Sequence, residues 1–216
     1  MVGADALQHR GPIPCEQSRQ RGNHSCRMHC LLSTLGSRQR QCASQAAQPR
    51  YNDERLPAEQ RGRRLILVTE QGAVGEMRAL LAVGADVVAR GGARGWTALH
   101  FAASRGDVEA TQLLVDAGAA MDARITWEQW TPLRVAAERG RAAVARLLLR
   151  ANADHNVRDG SGWTPLHLAA RCGNAEVAAA LLEAGADRDA TTGDSGATAV
   201  DLTRENKDSR LMEMLS

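Results

Sequence analysis

From Arg63 onward, short apolar stripes recur along the chain at a near-constant interval. The leucine groups Leu80-Leu81, Leu113-Leu114, Leu147-Leu148-Leu149 and Leu181-Leu182 are each followed by Gly84, Gly118, Asn152 or Gly185. With Val108, Val144 and Val177, the leucines predict the one-sided apolar face of a short helix. Glycine ends such a helix most cheaply because a left-handed cap disfavours a Cβ, and asparagine is the best substitute. A second pattern precedes each stripe. Thr97, Thr131, Thr164 and Thr198 are placed to cap a first short helix, and Pro132 and Pro165 suit its first turn. The alanine pairs Ala102-Ala103, Ala136-Ala137 and Ala169-Ala170 let that helix sit close to a neighbour, and Gly72, Gly106, Gly140 and Gly173 end it. The pattern predicts pairs of short helices joined by polar hairpins.

The openings repeat almost word for word. Trp96-Thr97-Ala98-Leu99-His100 recurs as Trp130-Thr131-Pro132-Leu133-Arg134 and as Trp163-Thr164-Pro165-Leu166-His167, with a decayed copy at Ala197-Thr198-Ala199-Val200-Asp201. The threonines are 34, 33 and 34 residues apart. A first unit lacks this opening but keeps the register through Leu65, Leu67, Gly72, Leu80-Leu81 and Gly84-Ala85-Asp86. Residues 63–216 resemble the ankyrin repeat in these features. The resemblance implies an all-α solenoid of helix-turn-helix pairs joined by β-hairpin loops. Five units are expected, over about 63–96, 97–130, 131–163, 164–197 and 198–216, within a repeat domain spanning 56–216. One unit cannot bury its stripe alone, whereas stacked units share a continuous core, closed by a polar terminal repeat. The last unit, with Arg204 to Arg210 polar and Leu202, Leu211, Met214 and Leu215 left to bury, reads as such a cap.

The chain departs from the family pattern at one motif position. Family histidines there bridge neighbouring repeats; His100 and His167 keep the residue, but Ile66, Arg134 and Asp201 replace it, so modest stability is expected. Hairpins around Gly91-Gly92, Ile125-Thr126 and Thr191-Thr192 each carry one extra residue, which surface loops tolerate.

Composition narrows the function. Aromatic residues make up only 3% of the 216, so the core must be built from Leu, Val and Ala. No apolar run approaches the roughly 18 residues of a membrane-spanning helix, and the N-terminus has no continuous apolar segment of the secretory type. Arginine is in excess before residue 62, while the body is near charge balance, which argues against a nucleic-acid partner. Four of the five cysteines (Cys15, Cys26, Cys30 and Cys42) precede the repeats. An odd number without a leader reads as reduced thiols in an intracellular protein, cytoplasmic or nuclear.

The resemblance implies protein–protein recognition on a concave surface of hairpins and first helices. Trp96, Trp130 and Trp163 occupy one repeat position there, with Trp127 near a hairpin tip. Arg105, Glu138-Arg139 and Arg171 follow at the ends of first helices, and Arg94 and Glu128 lie in the hairpins. Tryptophan and arginine dominate interface hot spots, so Arg94, Trp96, Arg105, Trp127, Glu128, Trp130, Arg139, Trp163 and Arg171 form the candidate partner-binding set. They suit an acidic segment with apolar side chains. The alternative is that the bulky residue merely packs one hairpin on the next. Thr97, His100, Thr131, Thr164 and His167 belong to the structural motif.

Catalysis finds no support in the residue pattern. There is no Ser-His-Asp or Cys-His constellation, and Gly91-Gly92-Ala93-Arg94-Gly95 lacks the Lys-Ser/Thr of a phosphate loop. His100 and His167 are 67 residues apart, each inside a structural motif, and Cys172 beside Arg171 is at most a perturbed thiol. Residues 1–55, rich in Gln, Ser and Arg, predict a disordered tail. Its His24, Cys26, His29 and Cys30, with Cys15 or Cys42, are metal-ligand types at a spacing too tight for the usual two-pair zinc site. The stretch also resembles an organelle transit peptide, against which Asp5 and Glu16 count. The expectation is a monomeric, non-catalytic protein-binding module without cofactor, metal, nucleic-acid or membrane partner. The alternatives are a recruiting subunit of a ubiquitin ligase, kinase or phosphatase, and a metal- or redox-responsive regulator.

Overall fold

A computed structural model describes residues 56–92, 94–126, 128–206 and 209–215. Residues 1–55, with the Cys/His cluster, and Trp127 lie outside the described residues. Ten helices and no strands occur among the described residues. They are α1 (Ala58–Gln71), α2 (Val74–Ala82), α3 (Ala98–Arg105), α4 (Val108–Asp116), α5 (Pro132–Arg139), α6 (Ala142–Arg150), α7 (Pro165–Cys172), α8 (Ala175–Glu183), α9 (Ala199–Asn206) and α10 (Ser209–Leu215). The first helix follows Pro57 and runs for 14 residues, against 8 in α3, α5 and α7.

The caps explain these lengths. Gly72, Gly106, Gly140 and Gly173 are left-handed, and the next residue's amide returns to a carbonyl inside the helix, as Asn174 N does to Ala169 O at 2.8 Å. The second helices close the same way on Gly84, Gly118, Asn152 and Gly185, with Ala85, Ala119, Ala153 and Ala186 donating back to Leu80, Leu114, Leu148 and Leu181. At the other end, Thr131 and Thr164 accept the amides of Arg134 and His167.

First helices α1, α3, α5, α7 and α9 pack in one row, and second helices α2, α4, α6, α8 and α10 in another. The alanine pairs are fully buried between successive first helices, and Leu80, Leu114, Leu148 and Leu181 are fully buried under the second row. Val144 and Val177 join that core, but Val108 does not; it is 42% exposed. The register is two residues off at that point. Asp107 caps α4 by accepting the amide of Ala110, and Ala110 takes the buried place equivalent to Val144.

Hairpins close on backbone pairs such as Gly91 with Trp96 and Ile125 with Trp130. The residue before each opening is left-handed: Gly95, Gln129, Gly162 and Gly196. Gln129, at φ 56°, is the one of these with a side chain. Its Nε2 donates weakly to Ile125 O and Thr126 O, at 3.4 and 3.3 Å. A left-handed non-glycine residue costs on the order of 1 kcal/mol. Gln129→Gly is therefore expected to raise the unfolding free energy by up to about 1 kcal/mol, read as a higher urea midpoint at unchanged helicity.

Candidate functional site

The candidate residues gather where hairpins meet first helices. Successive hairpin tips are tied by single backbone bonds: Thr126 N to Arg94 O at 3.2 Å, Gly160 N to Glu128 O at 3.0 Å and Gly193 N to Ser161 O at 3.2 Å. Arg90 and Arg158 reinforce the same row, donating to Arg124 O and Thr191 O one hairpin further on.

The motif histidines work as hydrogen-bonded struts. His100 Nδ1 accepts from Thr97 N at 3.3 Å, which leaves Nε2–H to donate to Trp130 O at 3.0 Å. His167 repeats this with Thr164 N at 3.1 Å and Ala190 O at 2.9 Å. Only the neutral ring can accept at Nδ1 while donating at Nε2. Burial pushes the His100 pKa down to about 4, with Arg90 adding to the effect, and burial lowers His167 as well.

Arg134 occupies the histidine slot and does equivalent work by another route. Its Nε donates to Asp159 Oδ2 at 2.9 Å and its Nη1 to Glu138 Oε2 at 3.3 Å. Its guanidinium lies 3.8 Å from the Trp130 ring centroid. Asp159 Oδ1 accepts the amides of Ser161 and Trp163, both at 2.9 Å, so one carboxylate shapes the next hairpin and anchors it to Arg134. Asp201 likewise replaces the motif histidine at its own cap, accepting Thr198 N at 3.0 Å and Thr198 Oγ1 at 2.7 Å. The expectation that only two repeats keep the bridge is thus corrected: the third is bridged by an ion pair. Asp159 was not singled out from the sequence, where its only signal is an acidic residue four before Trp163.

Each tryptophan packs on the first helix of its own repeat. Trp96 meets Phe101 at 4.9 Å and His100 at 5.8 Å between centroids. Trp163 meets His167 at 6.1 Å, and the Arg171 guanidinium lies 4.9 Å from its ring. All three tryptophans are half-buried. Arg105 is exposed and donates to Glu70 O at 3.0 Å, capping the C-terminus of α1. Arg141 and Asn174 do the same for α3 and α5. Arg94 and Arg139 are exposed and Glu128 is half-buried. No group of three metal-ligand residues occurs among the described residues, and none of their helices is long and apolar enough to cross a membrane.

Two rows of helices, tied unit to unit by struts and crossed by a row of hairpins, define a helical repeat protein of the solenoid type. A family model of three ankyrin repeats matches residues 65–159, and a single-repeat model matches 161–193. Together they cover more than half of the chain, which belongs to the ankyrin-repeat family. No curated protein matches it. Ankyrin repeats are in general protein–protein interaction modules and typically non-catalytic.

Two predictions follow from the struts. A folded pKa below the unfolded value places the stabilising effect of neutral His100 fully above pH 6.5, to be lost as the pH falls from there toward 4. Urea unfolding at stepped pH is expected to show a slope approaching about 1.4 kcal/mol per pH unit from this group, absent in His100→Gln. Asp159→Ala strands a buried guanidinium and is expected to cost about 3 kcal/mol, more than Arg204→Ala in the exposed pair with Asp201, at under about 1 kcal/mol.

Proposed function

We propose that this chain is a non-catalytic recognition module that binds a partner protein on its concave hairpin and first-helix face. The observation carrying this reading is the row of Trp96, Trp130 and Trp163, half-exposed at one repeat position and each held by its own first helix. A ring held from beneath and open on one side offers a large contact area at little entropic cost. Arg94, Arg105, Arg139 and Arg171, with Glu128, would supply the polar contacts around that row. A partner segment mixing apolar and acidic side chains fits this chemistry. Family membership supports the general role, and the identity of the surface is the finer step.

The experiment is a comparative pull-down from source cells, read by mass spectrometry, with the full chain and its Trp96→Ala/Trp130→Ala/Trp163→Ala variant as baits. Circular dichroism first establishes equal helicity. A partner held by the parent chain and lost from the variant is the expected result. Capture of the same partner by both assigns the tryptophans to packing and moves the site elsewhere.

A further inference from the structure

The row of tryptophans is not uniform. Trp130 lies beneath Arg134 and Trp163 beside Arg171, but among the described residues no guanidinium lies over Trp96. Beside Trp96 the surface instead opens into a recess of about 220 Å³, lined by Gly91, Gly92, Arg94, Trp96 and Phe101 and almost wholly apolar. Small-molecule sites run to about 300–1,000 Å³, so this volume suits a single side chain. Its floor is shaped by the glycines. A Cβ on Gly91 would already press on Ile66 at 3.0 Å, while one on Gly92 would meet nothing within 4 Å.

Three further observations indicate an occupant. Leu67, which holds on α1 the position of Phe101 on α3, is 55% exposed and adds a second exposed apolar side chain at that position of the first-helix row. Among the described residues Trp96 Nε1 has no acceptor, so packing on Phe101 and His100 rather than a hydrogen bond sets the ring against the recess. Finally, the rim carries cations that face no carboxylate among the described residues, Arg90 being held instead by Arg124 O. Arg94 lines the recess and Arg90 Nη1 lies 3.8 Å from where a Gly95 Cβ would sit, yet neither has a carboxylate partner among the described residues. Two ring walls, an apolar floor and a cationic rim complement an aromatic side chain flanked by carboxylates.

We infer that the recess between the first hairpin and α3 is an anchor site for an acidic peptide segment of a partner protein, with one aromatic side chain seated against Trp96 and Phe101 and a neighbouring carboxylate on Arg94. This rests on the proposed recognition face and narrows it to one end. The segment docks as a chain with a single anchor side chain; the remaining tryptophans contribute lateral contact.

The test is a two-dimensional NMR titration of the ¹⁵N-labelled full chain, following the tryptophan indole N–H signals, with Trp96 assigned through Trp96→Phe. The probe is the blocked peptide Gly-Asp-Glu-Phe-Asp-Glu-Gly. The expected result is a saturable shift of the Trp96 signal, with binding weakened about tenfold or more by changing the peptide's Phe to Ala, and again by Arg94→Glu in the protein. Arg94 is exposed on a hairpin, and unchanged Trp130 and Trp163 signals certify the fold of that variant. Movement of Trp130 or Trp163 with Trp96 still overturns the anchor site while leaving the recognition face standing. An equal response to the Ala peptide, to a Lys-for-acid peptide or in Arg94→Glu overturns the proposed chemistry. No shift of any signal at millimolar peptide overturns the anchor site, and the pull-down then judges the face independently.

Discussion

Every unit in this chain is too small to bury its own leucine stripe, so the fold depends on how firmly one unit grips the next. Apolar burial supplies most of that grip, but it is non-directional and does not set the hairpins in place. The directional part comes from a buried polar side chain in the first turn of α3, α5 and α7, which reaches across to the following hairpin. His100 and His167 do this through a backbone carbonyl. The same side chains complete the capping of their own helices, so helix initiation and unit-to-unit coupling share one residue.

That sharing makes the slot chemically tolerant but not permissive. A residue there must satisfy a donor at its own cap, or leave that to the threonine, and still reach the neighbour. Arg134 delegates the cap to Thr131 and spends its guanidinium on Asp159 and Glu138. The ion pair is buried, with side-chain exposures of 10% and 5%, so desolvation offsets much of the attraction. What it gives is direction, because Asp159 also receives the two amides that shape the hairpin before Trp163. Asp201 turns back to its own cap, accepting from Thr198 N and Thr198 Oγ1, and pairs with Arg204.

The sequence-level reading went furthest where a residue's role is local. Threonine caps, left-handed glycines and Asn152 announce themselves because each answers a backbone requirement within a few residues. The stripe was legible except at Val108, where Asp107 caps α4 and moves the buried position to Ala110; an apolar residue at a helix start looks like core when the cap before it is overlooked. The Arg134–Asp159 pair was not legible, since 25 residues of chain separate two charges that read individually as solvated. The left-handed Gln129 was hidden for a different reason. Its equivalents are glycines, and only the backbone reveals that Gln129 adopts their conformation. For the candidate face, the shared tryptophan position was visible, but not that each ring leans on its own helix.

That last point bears on how a tryptophan can serve packing and recognition together. A ring that bridged two hairpins would have both faces covered, and a partner could reach only its edge. Here each ring packs on its own first helix, Trp96 on Phe101 and His100, Trp130 on Arg134, and Trp163 on His167 and Arg171. Arg134 and Arg171 lie against the rings of Trp130 and Trp163, whereas among the described residues no guanidinium lies against Trp96. Graded bracing of this kind gives a repetitive scaffold a polarity that its repeats lack. Identical units would present the same surface at every step and let a bound segment slip by one repeat. If the recess beside Trp96 is the anchor site proposed above, a segment seated between Gly92 and Phe101 would have its register fixed there.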